Sequence, residues 1–82
     1  MKVRTLKPKL LRYITERNLK RKLAKQILLF ETNSKHPSLH TEKLEPKEFG
    51  LYSFRIDRKY RAIFILFNSD LAEIVDINDH YR

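Results

Sequence analysis

Cysteine is missing from this 82-residue chain, and glycine occurs only once. Without cysteine there is neither a disulfide framework nor a thiolate zinc site. Histidine is scarce as well: His36, His40 and His80 are all there is. His36 and His40 are four apart, but Pro37 breaks the stretch between them, so the helix-face spacing of a metal pair is lost. No metal and no cofactor is expected. Long hydrophobic runs are also lacking. The longest, residues 62–67, is far short of the roughly 18 apolar residues of a membrane span, and the N-terminal stretch has no apolar leader core. The expectation is a cytoplasmic chain with no membrane partner. There is no repeat, low-complexity tract or Gly/Ser linker, so residues 1–82 are expected to form one domain. A domain this small buries only around 60% of the surface its unfolded chain exposes.

What is present is positive charge. Lys and Arg number 18 against 10 Asp and Glu, a net +8. A field of that sign on so small a surface attracts a polyanion: nucleic acid, an anionic membrane or an acidic protein. The charge is densest in the first half, from Lys2 to Lys25, while most aromatic residues lie in the second half.

The hydrophobic pattern predicts an α+β fold in the order β-α-α-β-β-β. Residues 2–6 alternate as a short strand. Pro8 suits the first turn of a helix whose apolar face is Leu10, Leu11 and Ile14. Asn18 reads as the N-cap of a second helix in which Leu19, Leu23, Ile27 and Phe30 recur at helical spacing. His36-Pro37 and Glu45-Pro46 oppose helix, so residues 34–49 read as an ordered loop. Gly50, placed just before the sheet, suits a positive φ. Residues 51–56, 60–67 and 71–77 read as three strands of an antiparallel meander, joined by turns at Asp57-Arg58-Lys59 and Asn68-Ser69-Asp70. The middle strand is apolar almost throughout, the pattern of a strand covered on both faces. The two helices are expected to pack on one face of this small antiparallel sheet.

Several side chains stand out against that frame. Arg61 opens the central strand beside apolar neighbours. It is either a strand-end arginine that snorkels to water or a fixed fork for a phosphate. Arg55, on the adjacent strand, adds a second positive group if the register puts both on one face. His80 follows the last strand and has the intrinsic pKa of a general acid or base near neutrality. Tyr81 can stack on an unpaired base or close the sheet edge. Glu42, in the loop, gains meaning only if the loop folds over the arginine-bearing face. Then Glu42 and His80 flank one phosphate as base and acid.

The stretches His36-Pro-Ser-Leu-His-Thr-Glu-Lys-Leu44, Gly50-Leu-Tyr-Ser-Phe-Arg-Ile56 and Tyr60-Arg-Ala-Ile-Phe64 resemble the RelE/ParE toxin superfamily. So does the final strand running into Asp76-Ile-Asn-Asp-His80-Tyr81. The local resemblance is to the YoeB-like branch of mRNA interferases. It implies a RelE-like fold and a toxin of a type II toxin–antitoxin system. It further implies ribosome-dependent cleavage of mRNA by 2′-OH attack without a metal, and an acidic antitoxin as partner. The catalytic positions it implies are Glu42, Arg55, Arg61, His80 and Tyr81. Lys43, Lys47, Arg58, Lys59 and Arg82 are the basic residues expected to meet RNA. The match departs from the branch in two places: its lysine after the leucine is here Glu45, and Arg82 follows the His-Tyr pair. Two other readings stand beside this one, a ParE-like gyrase inhibitor without chemistry and a nucleic-acid-binding module that has lost catalysis.

Overall fold

The computed structural model describes residues 1–79. Helix α1 (Pro8–Glu16) begins on its proline, where a missing N–H costs nothing. Leu10 and Ile14 are buried, whereas Leu11, expected on the same face, is 40% exposed. At 3.6 residues per turn Leu10 and Ile14 align, and Leu11 falls to the side. Asn18 does not cap α2 (Lys20–Thr32); Leu19 occupies that position. Asn18 instead adopts the left-handed conformation, φ +58°, and terminates α1. Leu19 N–H donates to Ile14 C=O at 2.8 Å and Asn18 N–H to Thr15 C=O at 3.2 Å, the paired bonds of a Schellman turn. Leu19 and Ile14 are both in the core, so the turn is stapled by apolar contact as well. Asn18→Ala is expected to lower stability by about 1 kcal/mol, because a Cβ without a local polar group disfavours this backbone, while Asn18→Gly is tolerated. Urea midpoints of the three proteins check this.

The expected element order holds with one strand more than the pattern predicted. Strands β1 (Lys2–Val3), β2 (Glu42–Lys43), β3 (Leu51–Arg55), β4 (Arg61–Asn68) and β5 (Leu71–Asn78) form one sheet in the order β1-β5-β4-β3-β2. β3, β4 and β5 are the antiparallel meander, and β2 adds to β3 antiparallel. β1 is shorter than the alternation at 2–6 suggested, and it pairs parallel with β5. Its outer side is closed, since Val3 N–H donates to the Glu31 carboxylate at 2.8 Å. An edge amide satisfied by a charged side chain is a poor template for another strand. The stretch read as loop also contains two 3₁₀ turns, Pro37–Leu39 and Lys47–Phe49. Gly50 closes the second with φ +66°, the positive value expected of it.

Both helices lie on one face. Phe30 of α2 stacks on Phe54 at 5.4 Å between ring centroids and meets Phe64 edge-on at 5.0 Å. Leu10, Ile14, Leu23, Ala62, Ile74 and Ile77 complete most of that core. β4 is not covered on both faces, contrary to its apolar run: Leu66 is 43% and Phe67 59% exposed toward its end. The Arg4 guanidinium lies 5.0 Å from the Phe67 ring, a partial cover by a basic side chain. A bulge in β5 pairs Phe64 with Ile74 but Ile63 with Asp76, leaving Val75 as the extra residue. This phase slip returns Ile77 to the core and makes Asn78 the cross-strand neighbour of Arg61.

Candidate active site

Alternation along β3 turns Tyr52 and Phe54 to the helices, so Ser53 and Arg55 face away from them. The register then decides what joins them. Glu42 pairs with Ser53, and Arg55 pairs directly with Arg61. Residues opposite one another in a sheet share a face, so Glu42, Ser53, Arg55 and Arg61 form one cluster on the helix-free side. Glu42 reaches that cluster from an edge strand, not from a loop.

Arg61 neither snorkels to water nor spreads an open fork. It is only 3% exposed. Its Nε–H donates to Ser53 Oγ at 2.9 Å, and one terminal nitrogen donates to the backbone carbonyls of His40 and Ser53. The same nitrogen lies 3.9 Å from Glu42 Oε1. His40 takes the left-handed conformation, φ +46°, at the end of the Pro37–Leu39 turn, and its carbonyl is the one Arg61 holds. The guanidinium thus clasps the 34–41 segment to the sheet and sets Glu42 beside it. Arg55 is half-buried, and its Nε is buried without a hydrogen-bond partner among the described residues. Gln26, itself buried, donates to the Arg55 carbonyl at 2.7 Å and ties α2 to this end of β3.

Like charges set directly opposite in a sheet repel, and burial strengthens the repulsion. The half-exposed Glu42 offsets part of it. An anion beside Arg55 would offset the rest, so the pair has the electrostatics of an anion site.

Sequence patterns gave Ser53 and Gln26 no role and read His40 only as a loop residue placed to meet RNA; these three hold the two arginines. Ser53 carried a signal: a small hydroxyl residue between Tyr52 and Phe54 on the arginine-bearing side. The other two act through contacts distant in the chain, where no local pattern exists.

The remaining predicted residues scatter. Lys43 alternates to the opposite side of β2 from Glu42 and places its ammonium 5.6 Å from the Tyr52 ring. Lys47 is exposed on the second 3₁₀ turn, and Arg58 and Lys59 are exposed in the β3–β4 connection. His80, Tyr81 and Arg82 lie outside the described residues. His36 caps the first 3₁₀ turn, its Nδ1 accepting from Ser38 N–H at 3.1 Å.

The β3–β4 connection is organised by Asp57. Its carboxylate accepts from Lys59 N–H at 2.9 Å and Tyr60 N–H at 2.8 Å, and from the Lys22 ammonium at 3.0 Å. Burial alone pushes this carboxyl up, but the bonds from Tyr60, Lys22 and Lys59 outweigh it and hold the pKa below the usual value. A carboxyl lowered on folding stabilises at pH above its unfolded pKa, and that contribution disappears as pH falls through the folded value. Asp57→Asn is therefore expected to be less stable than the parent at neutral pH. The gap should narrow on acidification below pH ~4, where the parent's carboxyl takes up a proton. Thermal melts at stepped pH read this directly.

No family model matches the sequence, and no curated protein does. Solved structures do match over nearly the whole chain. A YoeB/ParE toxin from Agrobacterium tumefaciens superposes with a TM-score of 0.72 at 17% identity, covering 99% of this chain and 100% of that one. The YoeB–YefM toxin–antitoxin heterotetramer from Staphylococcus aureus gives 0.71 at 20%, covering 99% and 98%. YafQ from E. coli strain BL21(DE3) gives 0.72 at 13%, covering 96% and 90%. At these identities the likeness establishes the fold, and it is the RelE-like fold that the sequence resemblance implied.

Proposed function

We propose that this chain is the toxin of a type II toxin–antitoxin pair and cuts mRNA on the ribosome, in the cytoplasm. The observation that carries the reading is the direct Arg55–Arg61 pair with the Glu42 carboxylate 3.9 Å from the Arg61 guanidinium. A base and two positive charges on one sheet face suit attack by a ribose 2′-OH on its neighbouring phosphate.

In this reaction Glu42 takes the 2′-OH proton as the 2′ oxygen bonds to phosphorus. The charge that builds on the phosphate oxygens is stabilised by Arg55, which can turn toward them, and by the held charge of Arg61. His80 is the proposed acid: it gives its proton to the leaving 5′ oxygen as the P–O5′ bond breaks. The products are a 2′,3′-cyclic phosphate and a 5′-OH end. Tyr81 is assigned to stacking on a base beside the cut. Lys43, Lys47, Arg58, Lys59 and Arg82 add long-range attraction for the strand. The ribosome supplies the alignment that so small a protein lacks, and activity without it should be low. The partner is an acidic antitoxin, suited to the +8 charge of the chain. The similarity to a toxin held in a toxin–antitoxin complex supports this.

Brief induction in growing cells followed by mapping of RNA 5′ ends tests the reading. New ends inside translated codons are expected. Intact mRNA with altered plasmid supercoiling would instead identify a gyrase inhibitor.

A further inference from the structure

A second feature lies one residue from Arg61, at the helix-facing end of the same hairpin. The Arg17 guanidinium carbon sits over the Tyr13 ring, 3.6 Å from its centroid and within contact distance. Tyr13 in turn meets Tyr60 edge-on, at 6.3 Å and 84°, and the Lys59 ammonium lies 5.4 Å from the Tyr60 ring. Burial pushes the Tyr13 hydroxyl above its ordinary pKa, with Arg17 opposing, so the ring stays neutral. This assembly forms where the α1–α2 elbow meets the β3–β4 connection, which the Lys22–Asp57 ion pair ties together.

Part of the edge of the Arg17 guanidinium, one terminal nitrogen, already has partners. That nitrogen donates to the Tyr13 carbonyl at 3.4 Å and lies 3.8 Å from the Glu16 carboxylate. Carboxylates and phosphates bind guanidinium through that edge. The side chain is 39% exposed, so a planar ligand would approach the guanidinium from the side away from Tyr13. A flat cation on an aromatic support matches a nucleobase better than it matches an acidic side chain.

We propose that Arg17, backed by Tyr13 and Tyr60, is a stacking platform for one unpaired base of single-stranded RNA. The proposal rests on the nuclease reading in one respect: the base belongs to the strand being cut, a nucleotide or more from the scissile phosphate. The strand rounds the end of the β3–β4 hairpin, with Arg58 and Lys59 close to its backbone. The platform thereby contributes to which nucleotide the protein favours at that position.

The test uses the full chain and a fluorescent 2′-O-methyl RNA decamer, followed by anisotropy at fixed salt, with thermal melts confirming that each variant is folded. Arg17→Ala is expected to weaken binding roughly tenfold, the size of one lost base stack. Arg17→Lys keeps the charge but has no planar face, so it should recover little of the loss. An abasic nucleotide at one position of the decamer should reproduce the loss in the parent and add nothing further in Arg17→Ala. Parent-like binding by Arg17→Lys would reduce Arg17 to a simple charge and overturn the proposal. So would indifference to every abasic position, or an equal Arg17→Ala loss with polyglutamate as ligand, which assigns the surface to an acidic protein. Cleavage plays no part in this read-out, because 2′-O-methyl ribose has no hydroxyl to attack with. A chain that stacks the base yet leaves mRNA intact in induced cells would sink the nuclease reading alone.

Discussion

Arg61→Ala is expected to lower stability by about 3 kcal/mol, within the range for removing one member of a buried charged network. The melting temperature should fall by roughly 15 °C, since each kcal/mol shifts a domain of this size by several degrees. The mechanism is specific. Ser53, 1% exposed, loses the donor to its hydroxyl, and the His40 carbonyl loses the group that pins the 34–41 segment. A buried acceptor without a donor costs about 1–3 kcal/mol on its own. Arg61→Lys should recover less than half of the loss, because an ammonium on a straight stem cannot meet Ser53 Oγ and the His40 carbonyl together. Urea melts of the three proteins measure this. Equal stability of parent and alanine variant would mean that the clasp does not hold the segment.

Glu42→Gln separates chemistry from that structural role. Glu42 is 52% exposed on its side chain and 3.9 Å from Arg61, too open and too distant for its charge to matter much to folding. Stability should change by less than about 1 kcal/mol. Cleavage of translated mRNA should fall by about 10²–10⁴-fold, the usual contribution of a positioned general base, because glutamine cannot accept the 2′-OH proton. The two variants form a contrast: Arg61→Ala loses both fold and activity, Glu42→Gln activity alone. A Glu42→Gln protein that arrests growth as the parent does, and leaves the same RNA ends, would remove Glu42 from the mechanism. Arg55 then remains as the less buried of the two charges, and its alanine variant becomes the next to measure.

Elements with a strong local period were legible from residues alone. The helical recurrence of Leu19, Leu23 and Phe30, the alternation of Tyr52 and Phe54 against Ser53 and Arg55, and the single glycine before β3 each depend on neighbours a few positions away. Those neighbours dictate helix, strand or positive φ directly. Where the local signal was ambiguous, the expectation missed. Asn18 serves a helix start and a left-handed helix end equally well, because its short amide fits both. The run at 62–67 reads the same whether one face or two are covered, and the choice falls to the packing of both helices on one side of the sheet.

The cluster on the sheet was a different matter. Its residues could be named one by one, but whether Arg55 and Arg61 share a face depends on strand register, which a slip of one residue reverses. That register is set by contacts between whole strands. The clasp spans still greater distances, from Arg61 back 21 residues to the His40 carbonyl. Charge, fold class and the identity of each polar side chain were therefore decided by composition and local pattern. The burial of Arg61, its engagement with Ser53 and His40, and the approach of Glu42 were decided only in three dimensions. They arise from backbone groups distant in sequence that must find hydrogen-bond partners once the sheet excludes water.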